Sequence, residues 1–427
     1  MKTNRIKTLL TAVLLSLCAS VSAYDFTVDG LHYNIVSLED LTCEITYGDK
    51  VDEYHGTYSG DIVIPETVTY NNKTLTVVKI GENAFSNCLG LSSVTIPQTV
   101  TYIGSQAFIG CGAITGITIP SSVTFIGYKA FGNCISLNNI VFEDGDKTLE
   151  WNNNSSTTIF YGCPIDSLYL GRNLKRTDEY YAYGLFVDSS VKKLVVGNTV
   201  TEIEKYSFFR CSKLKEISLG NSVTTIGESA FRNCDNLTEI SLPNSVTTIG
   251  QYAFADCDNL TEISLGNSVT TIGQFAFADC DNLTEISLGN SVTTIGQFAF
   301  SGCDNLTEIS LGKSVAVIGS AALLGCENLT TIYSLNPTPP TFEIDEFTNK
   351  QYINMNVYVA KGSLAAYQTA DIWKNFWNLQ EYSTDTGIGN ITVDGVQENK
   401  IYDLQGRKLD APQHGINIIN GKKVLVK

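Results

Sequence analysis

Histidine is scarce in this chain, and the sequence motifs through which many enzymes act are missing. The only three histidines, His32, His55 and His414, lie far apart along 427 residues. No H-E-x-x-H, G-x-S-x-G or phosphate-loop motif occurs. We therefore expect no catalytic residues and no cofactor. A pair of carboxylates suited to glycoside hydrolysis could still arise among 44 acidic side chains, so a secreted hydrolase remains an alternative.

Positive charge is scarce as well. Lys and Arg number 28 against 44 Asp and Glu, which gives a formal net charge of −16. A chain this acidic lacks the basic surface that attracts nucleic acid or anionic lipid. A partner attracted by charge would instead be a basic protein or a cation. No C-x-x-C pair occurs, so a structural metal site is not expected either.

Long apolar runs are absent beyond the first residues. Lys2, Arg5 and Lys7 precede an apolar run over residues 9–17 and small residues up to Ala23. This pattern is typical of a secretory signal peptide, here residues 1–23, and is too short for a membrane span in the mature protein. We expect a secreted or cell-surface bacterial protein without membrane insertion. Removal of the three basic residues would change its net charge from −16 to −19.

The chain does contain a conspicuous internal repeat. Cysteines recur mostly at intervals of 23 residues, and Asp188 takes the cysteine position once. A phenylalanine stands three residues before each of these positions, with Leu185 and Leu323 in its place twice. The ten repeat cysteines are Cys88, Cys111, Cys134, Cys163, Cys211, Cys234, Cys257, Cys280, Cys303 and Cys326. Because one such unit cannot bury its own apolar side chains, we assign residues 61–335 to a solenoid of stacked coils.

Each unit predicts the same local structure. Within residues 257–279, Ile263 and Leu265 share one face of a short strand, and Ile272 belongs to a second apolar stretch. Phe277 and Cys280 are three residues apart, which places both on the inner side of a single helical turn. The predicted fold class is therefore an α/β repeat solenoid, with short parallel strands, single helical turns and a small β-rich C-terminal tail.

The repeat cysteines allow two interpretations. In an exported protein they suggest disulfides, and neighbouring coils bring Cα atoms near the roughly 5.5 Å that a bridge requires. Alternatively, they form a ladder of buried thiols that pack as small apolar side chains. The Cβ vectors of a ladder run parallel instead of facing each other, and the mature chain has an odd number of cysteines. We therefore favour free thiols.

One row of outward-facing residues is the candidate binding site. Because Ile263 and Leu265 point inward, Glu262 and Ser264 point outward, on a side of the solenoid that we expect to be concave. The same register gives a row of carboxylates for a basic ligand or Ca²⁺. Alternatively, the row is a solvated surface copied by duplication of the repeat. The row consists of Glu216, Glu239, Glu262, Glu285 and Glu308.

The repeat unit C-x-x-L-x-x-I-x-L-P-x-S-V-T-x-I-G-x-x-A-F resembles the BspA-type leucine-rich repeat of bacterial surface antigens. The resemblance covers about residues 61–335 and implies surface display and adhesion to a host or matrix protein. It also implies an N-terminal cap over residues 24–60 and a C-terminal cap over residues 336–382. A glycan-binding surface module is the alternative. Exposed aromatics would favour it, and Tyr252, Phe275 and Phe298 either form such a patch or pack between coils.

The last residues form a separate element. A linker over residues 383–389 precedes a tail over residues 390–427, in which Asn420-Gly421 predicts a hairpin between two short strands. This tail resembles the C-terminal sorting domain of the type IX secretion system, which implies a role in export.

Overall fold

The computed structural model describes residues 24–48, 56–152, 158–177 and 184–382, and the backbone of four short strands in the tail. The predicted signal peptide (1–23) and linker (383–389) lie outside the described residues.

Each repeat closes into a coil with three sides, which the coil of residues 257–279 illustrates. Face A is the side that contains the strand Glu262–Ser264, and face B is the side that contains the strand Thr271–Ile272. Face C is the side of consecutive turns over residues 274–279. Successive coils stack these three sides on one another, so every face is a ladder that runs along the solenoid.

Face A consists of parallel strands. Ile240 lies opposite Ile263, and Ile286 lies opposite Ile309, so equivalent residues of neighbouring coils are in register. The ladder has three parts, of two, five and seven strands. The strands are Gly60–Val63 and Leu91–Thr95; then Gly116–Ile119, Asn139–Phe142, Ser167–Leu170, Lys193–Val196 and Glu216–Ser218; then Glu239–Ser241, Glu262–Ser264, Glu285–Ser287, Glu308–Leu311, Thr331–Ser334, Asn356–Val359 and Asn378–Glu381.

Face B consists of shorter parallel strands, mostly of two residues, in which a buried isoleucine follows an outward residue. Ile249, Ile272 and Ile295 stack in register in this way. The strands are Lys73–Ile80, Tyr102–Ile103, Phe125–Ile126, Leu149–Trp151 and Leu174–Arg176; then Glu202–Ile203, Thr225–Ile226, Thr248–Ile249, Thr271–Ile272, Thr294–Ile295, Val317–Ile318 and Thr341–Phe342.

Face C contradicts the predicted helical turn. Phe275 and Asp279 have φ angles of 55° and 57°, in the left-handed region, which no α-helical turn permits. The backbone amides instead alternate in their hydrogen bonds. Those of Phe275, Phe277 and Asp279 donate to the next coil, and that of Ala276 donates to Gly273 within its own coil. The repeats are therefore a β-solenoid, and the α/β description was wrong for them.

The core of the solenoid contains a continuous column of phenylalanines. The rings of Phe254 and Phe277 stack with centroids 5.4 Å apart and an interplanar angle of 1°. In the irregular unit the column continues through Phe186, which stacks between Phe160 and Phe208 at 5.7 and 5.4 Å. The assignment of Leu185 to this column was therefore wrong by one residue.

The same shift changes the cysteine position of that unit. Ser189 stands three residues after Phe186, and its hydroxyl lies 3.2 Å from the Cys211 Sγ. Asp188 has a φ of 56°, close to the 57° of Asp256, the residue that precedes a repeat cysteine. Ser189, not Asp188, therefore replaces the cysteine. The error arose because the extra residues of this unit were all placed before the phenylalanine position.

One row of glycines lies where face B passes into face C. A Cβ on Gly273 would lie 2.5 Å from the carbonyl carbon of Gly250 in the preceding coil. A Cβ on Gly296 would lie 2.6 Å from both the Gln274 nitrogen and the Gly273 carbonyl carbon. Close approach of neighbouring coils, not an unusual backbone angle, therefore requires glycine at this corner.

Different elements cover the two ends of the array. At the N-terminal end, the strands Phe26–Val28, Leu31–Ser37 and Thr42–Thr46 form an antiparallel meander, and Thr67–Tyr70 pairs with the first strand of face B. At the C-terminal end, helix α1 (Asn349–Asn354), helix α2 (Leu364–Tyr367) and a 3-10 turn (Trp373–Asn375) pack around the buried Trp373. These are the helices of the described residues.

In the tail, the backbone of Gly415–Ile419 pairs antiparallel with that of Lys422–Val426, and Ile419 lies opposite Lys422. This register agrees with the predicted two-residue hairpin. Ile401–Tyr402 and Lys408–Leu409 complete a sheet of four strands.

Candidate interaction face

Face A presents a regular polar surface because its strands alternate strictly. Ile263 is 5% exposed and Leu265 is 9% exposed, whereas Glu262 and Ser264 face solvent. The period of 23 residues repeats this pattern on each coil, so the outward residues form two parallel rows. The predicted directions of these side chains are confirmed.

The structure places the five predicted glutamates on this face, in the same outward row. Glu239 lies opposite Glu262, and Glu285 lies opposite Glu308. Neighbouring strands lie about 4.8 Å apart, so the four carboxyl groups from Glu239 to Glu308 extend over roughly 14 Å. Glu216 occupies the equivalent position on the far side of an interruption in the ladder. We call these five residues the acidic row.

The two ends of the acidic row differ in their electrostatic surroundings. At one end, the Glu216 carboxylate lies 3.5 Å from the Lys193 Nζ, an exposed ion pair that contributes little to stability. At the other end, Glu308 is half-buried, whereas the other four glutamates are exposed. Burial, with a further contribution from the charge of Glu285, raises the pKa of Glu308. A cationic group placed beside Glu308 would relieve both effects.

Two tyrosines continue the second outward row of face A beyond the acidic row, and we did not predict them. Tyr333 lies opposite Ser310 on one side and opposite Tyr358 on the other. The two rings stack with centroids 5.0 Å apart, and Tyr382 meets both edge-on. Burial and the charge of Glu308 raise the pKa of Tyr333 to about 12. Extending the repeat register past Cys326 would have placed Tyr333 outward, because Ile332 takes the position of the buried isoleucine.

The aromatic residues of face C form a ladder of their own. Tyr252, Phe275 and Phe298 are half-buried and stack with centroids 4.6 and 4.7 Å apart. The Arg232 guanidinium lies 4.8 Å from the ring centroid of Tyr252 and forms an ion pair with Asp256. Of the two alternatives for these residues, packing between coils is therefore the one that the structure shows.

The sequence matches the BspA type Leucine rich repeat region over residues 64–185, 180–286 and 247–358, in six copies. The chain belongs to this family of leucine-rich repeat proteins. The match covers well over half of the chain and coincides with the stacked coils.

Solved structures similar to this BspA-type protein come from several bacteria. A leucine-rich repeat protein from Bacteroides ovatus is 24% identical, with 75% of this chain and 99% of that chain covered and a TM-score of 0.34. A leucine rich cell surface protein from Faecalibacterium prausnitzii is 24% identical, with 77% and 96% covered and a TM-score of 0.32. The pneumococcal vaccine antigen PcpA is 18% identical, with 83% and 96% covered and a TM-score of 0.35. No curated protein matches the chain.

The cysteines of the BspA-type repeats are free, buried thiols throughout the described residues. Nine of them donate a hydrogen bond to the carbonyl of a phenylalanine one coil earlier; for example, the Cys257 Sγ lies 3.2 Å from the Phe231 oxygen. Burial raises the pKa of Cys211, Cys257 and Cys326 to about 12. This arrangement supports a ladder of neutral thiols, in which each thiol supplies one hydrogen bond between coils.

The described residues show no arrangement for metal binding or catalysis. Among them, no group of three His, Cys, Asp or Glu side chains is placed to hold a metal ion. His32 is in the N-terminal cap, where its Nδ1 lies 2.9 Å from the Thr27 hydroxyl, and His55 and His414 lie outside the described residues. Within the same part of the chain, the helices are all too short or too polar to cross a bilayer.

Proposed function

We propose that this chain is an exported scaffold of the bacterial surface that adheres to a host or matrix protein through face A. One observation carries the proposal: five glutamates occupy the same outward strand position, four of them on consecutive, stacked strands. The proposed partner presents a basic segment, because opposite charge favours both encounter and register.

The repetition of the coil favours a multivalent mode of binding. Residues 257–279 and 280–302 differ only at Ala278/Ser301 and Asp279/Gly302, so the carboxylates of these coils have nearly identical surroundings. A single exposed ion pair contributes at most about 1 kcal/mol. Several equivalent pairs on one rigid ladder together give a larger gain, since the first contact holds the others near their partners.

Surface placement is part of this proposal. Residues 1–23 have the pattern of a signal peptide, and one similar structure is that of a cell surface protein from another bacterium. The tail over residues 390–427, which resembles a type IX sorting domain, would then direct or anchor the exported chain.

A glycan-binding role is the second candidate, and the tyrosines of face A favour it. Tyr333 and Tyr358 are half-buried and stacked, and the neighbour of Tyr333 on the preceding strand is the small Ser310. A sugar ring could pack against the Tyr333 ring above Ser310, with the Glu308 carboxylate as a hydrogen-bond acceptor. This role uses the same face but not the charge of the whole row.

A matched pair of variants tests the proposal. The first replaces the five glutamates of the acidic row with glutamine. The control neutralises five other acidic residues, which recur just after the repeat cysteines, by changing Asp to Asn and Glu to Gln: Asp235, Asp258, Asp281, Asp304 and Glu327. Each variant removes five negative charges from equivalent positions of neighbouring coils. Proteins captured from a host-matrix extract by the unmodified chain are then measured against both variants at low and high salt.

The proposal predicts that the five-Gln variant binds the captured partner severalfold more weakly and loses most of the salt dependence. The control should keep both. Equal affinity of all three proteins would place the binding face elsewhere. Equal weakening by both variants would show that net charge, not the acidic row, attracts the partner.

A further inference from the structure

An open groove of about 640 Å³ lies beside the start of the acidic row, and its walls are polar and basic. This volume falls within the range of ligand-binding clefts. The groove spans three successive coils at the positions just before the face A strands. It is lined by Lys192, Lys213, Lys215, Asn236, Thr238 and Asn259.

The groove lies where the face A ladder is interrupted. Of the described strands, Glu216–Ser218 ends one part of the ladder and Glu239–Ser241 begins the next. Ile217 and Leu219 of the first strand are only partly buried, whereas Ile240 of the second is 4% exposed. The two coils are thus less closely joined here than in the regular part of the array, which leaves room between them.

The positive charge of the groove is not neutralised within the protein. Lys192 contacts Asp166 at 2.8 Å, and the neighbouring Lys193 contacts Glu216 at 3.5 Å. Among the ion pairs of the described residues, none involves Lys213 or Lys215. In a chain with a net charge of −16, two such lysines beside one groove form a local site for an anion.

The neutral residues of the groove have fixed orientations. The Asn236 Nδ2 donates to the Ser212 carbonyl at 2.7 Å, and the Asn259 Nδ2 donates to the Asp235 carbonyl at 2.6 Å. Each amide therefore keeps its Oδ1 as an acceptor, and Thr238 adds a hydroxyl between them. None of the six lining residues is apolar, so the groove lacks the pockets that anchor the side chains of a bound peptide.

We infer that this groove binds an acidic oligosaccharide. Its carboxylate or sulfate groups lie on Lys213 and Lys215, and its hydroxyls donate to the Asn236 and Asn259 oxygens. Uronic-acid and sulfated sugars share this chemistry of anion plus hydroxyls. The site is separate from the acidic row, so it would persist if the proposed protein partner of that row proved wrong.

The repeat itself supplies a variant that tests the groove without endangering the fold. Four following coils have asparagine and threonine where this coil has Lys213 and Lys215, for example Asn259 and Thr261. Lys213→Asn/Lys215→Thr therefore converts one coil to the common form. The control is Lys313→Gln/Lys361→Gln, which removes two exposed lysines remote from the groove.

Calorimetric titration of the full chain compares four probes of equal length: tetragalacturonate, a heparin-derived tetrasaccharide, maltotetraose and tetraglutamate. We expect one or both anionic sugars to bind, and to bind about tenfold more weakly to Lys213→Asn/Lys215→Thr, since each exposed ion pair contributes a factor of up to about five. The control and the five-Gln variant should bind them as the unmodified chain does. Which anionic sugar binds distinguishes carboxylate from sulfate.

Three results would overturn the inference. The first is that neither anionic sugar binds, and the second is that the Lys213→Asn/Lys215→Thr variant binds them unchanged. The third is that tetraglutamate binds as well as the sugars, which would make the groove a site for acidic peptides.

Discussion

Alkaline pH should unfold this protein through its buried thiols. Each repeat cysteine is neutral in the folded chain, and its pKa lies well above the ordinary value of 9.0; for Cys257 burial raises it to about 12. An unfolded thiol ionises above about pH 9, but the buried one does not. The stabilisation from each thiol is therefore complete below about pH 9, and it is lost as the pH rises towards about 12.

The size of the effect follows from linkage. At about pH 10, ionisation in the unfolded state alone favours unfolding by about 1.4 kcal/mol for each thiol that stays neutral when folded. Eight thiols together give about 11 kcal/mol, as large as the whole stability of many proteins. They are those whose pKa is raised most strongly: Cys111, Cys134, Cys211, Cys234, Cys257, Cys280, Cys303 and Cys326.

Urea unfolding at about pH 8 and about pH 10, without oxygen, measures this loss. The free energy of unfolding should fall steeply, and the variant Cys234→Ala/Cys257→Ala/Cys280→Ala should show a shallower fall because three linked protons are gone. Serine at position 189 shows that one coil already folds without its cysteine. Equal urea midpoints at the two pH values would refute the neutral-thiol ladder and would favour disulfides.

Three further predictions concern single side chains. Phe254→Ala should cost roughly 3–5 kcal/mol, and hydrogen exchange should rise most in the adjacent coils; a uniform rise along the array would contradict nearest-neighbour coupling. Gly273→Ala should cost about 1–3 kcal/mol in urea unfolding, because its Cβ would meet Gly250, and an unchanged midpoint would disprove the close approach. Burial raises the pKa of Glu346 to about 7, so its stabilisation is lost as the pH rises from about 4.5 through 7. Glu346→Gln should therefore raise the melting temperature at about pH 8 and change it little at about pH 4; equal shifts at both would be inconsistent with this account.

The period and the alternation of the strands could be predicted, and these determine most of the fold. Ile263 and Leu265 are buried and Glu262 is exposed because a strand of alternating residues has only one way to face an apolar core. The same period placed the acidic row on face A. Sequence spacing alone was enough for these features, because each coil repeats the contacts of the last.

The turns of face C could not be predicted from the spacing of Phe277 and Cys280. Three residues separate the two side chains in a helical turn, but also in a chain whose amides bond alternately within and between coils. The sequence shows which side chains are inside, but not where the backbone bonds go. Asp279 and its positive φ were the available signal, because aspartate and asparagine adopt the left-handed region more readily than most residues.

The basic groove depended on the irregular coils, where a periodic argument carries no information. Lys192 and Lys215 are neighbours because the Lys215 amide donates to the Lys192 carbonyl, across a unit whose register was misplaced by one residue. The interruption of the ladder beyond Glu216–Ser218 is a packing event between two coils that both follow the repeat pattern. Local deviations of this kind follow from tertiary contacts and not from spacing.

Hydroxyl-radical footprinting of the complex with the captured partner tests most directly whether face A is the binding face. Two half-buried aromatic ladders serve as internal reporters, Tyr333 and Tyr358 on face A and Tyr252, Phe275 and Phe298 on face C. Binding along the acidic row should protect Tyr333, which adjoins Glu308, and leave the oxidation of the face C ladder unchanged. Protection of the face C ladder with no change at Tyr333 and Tyr358 would contradict the account.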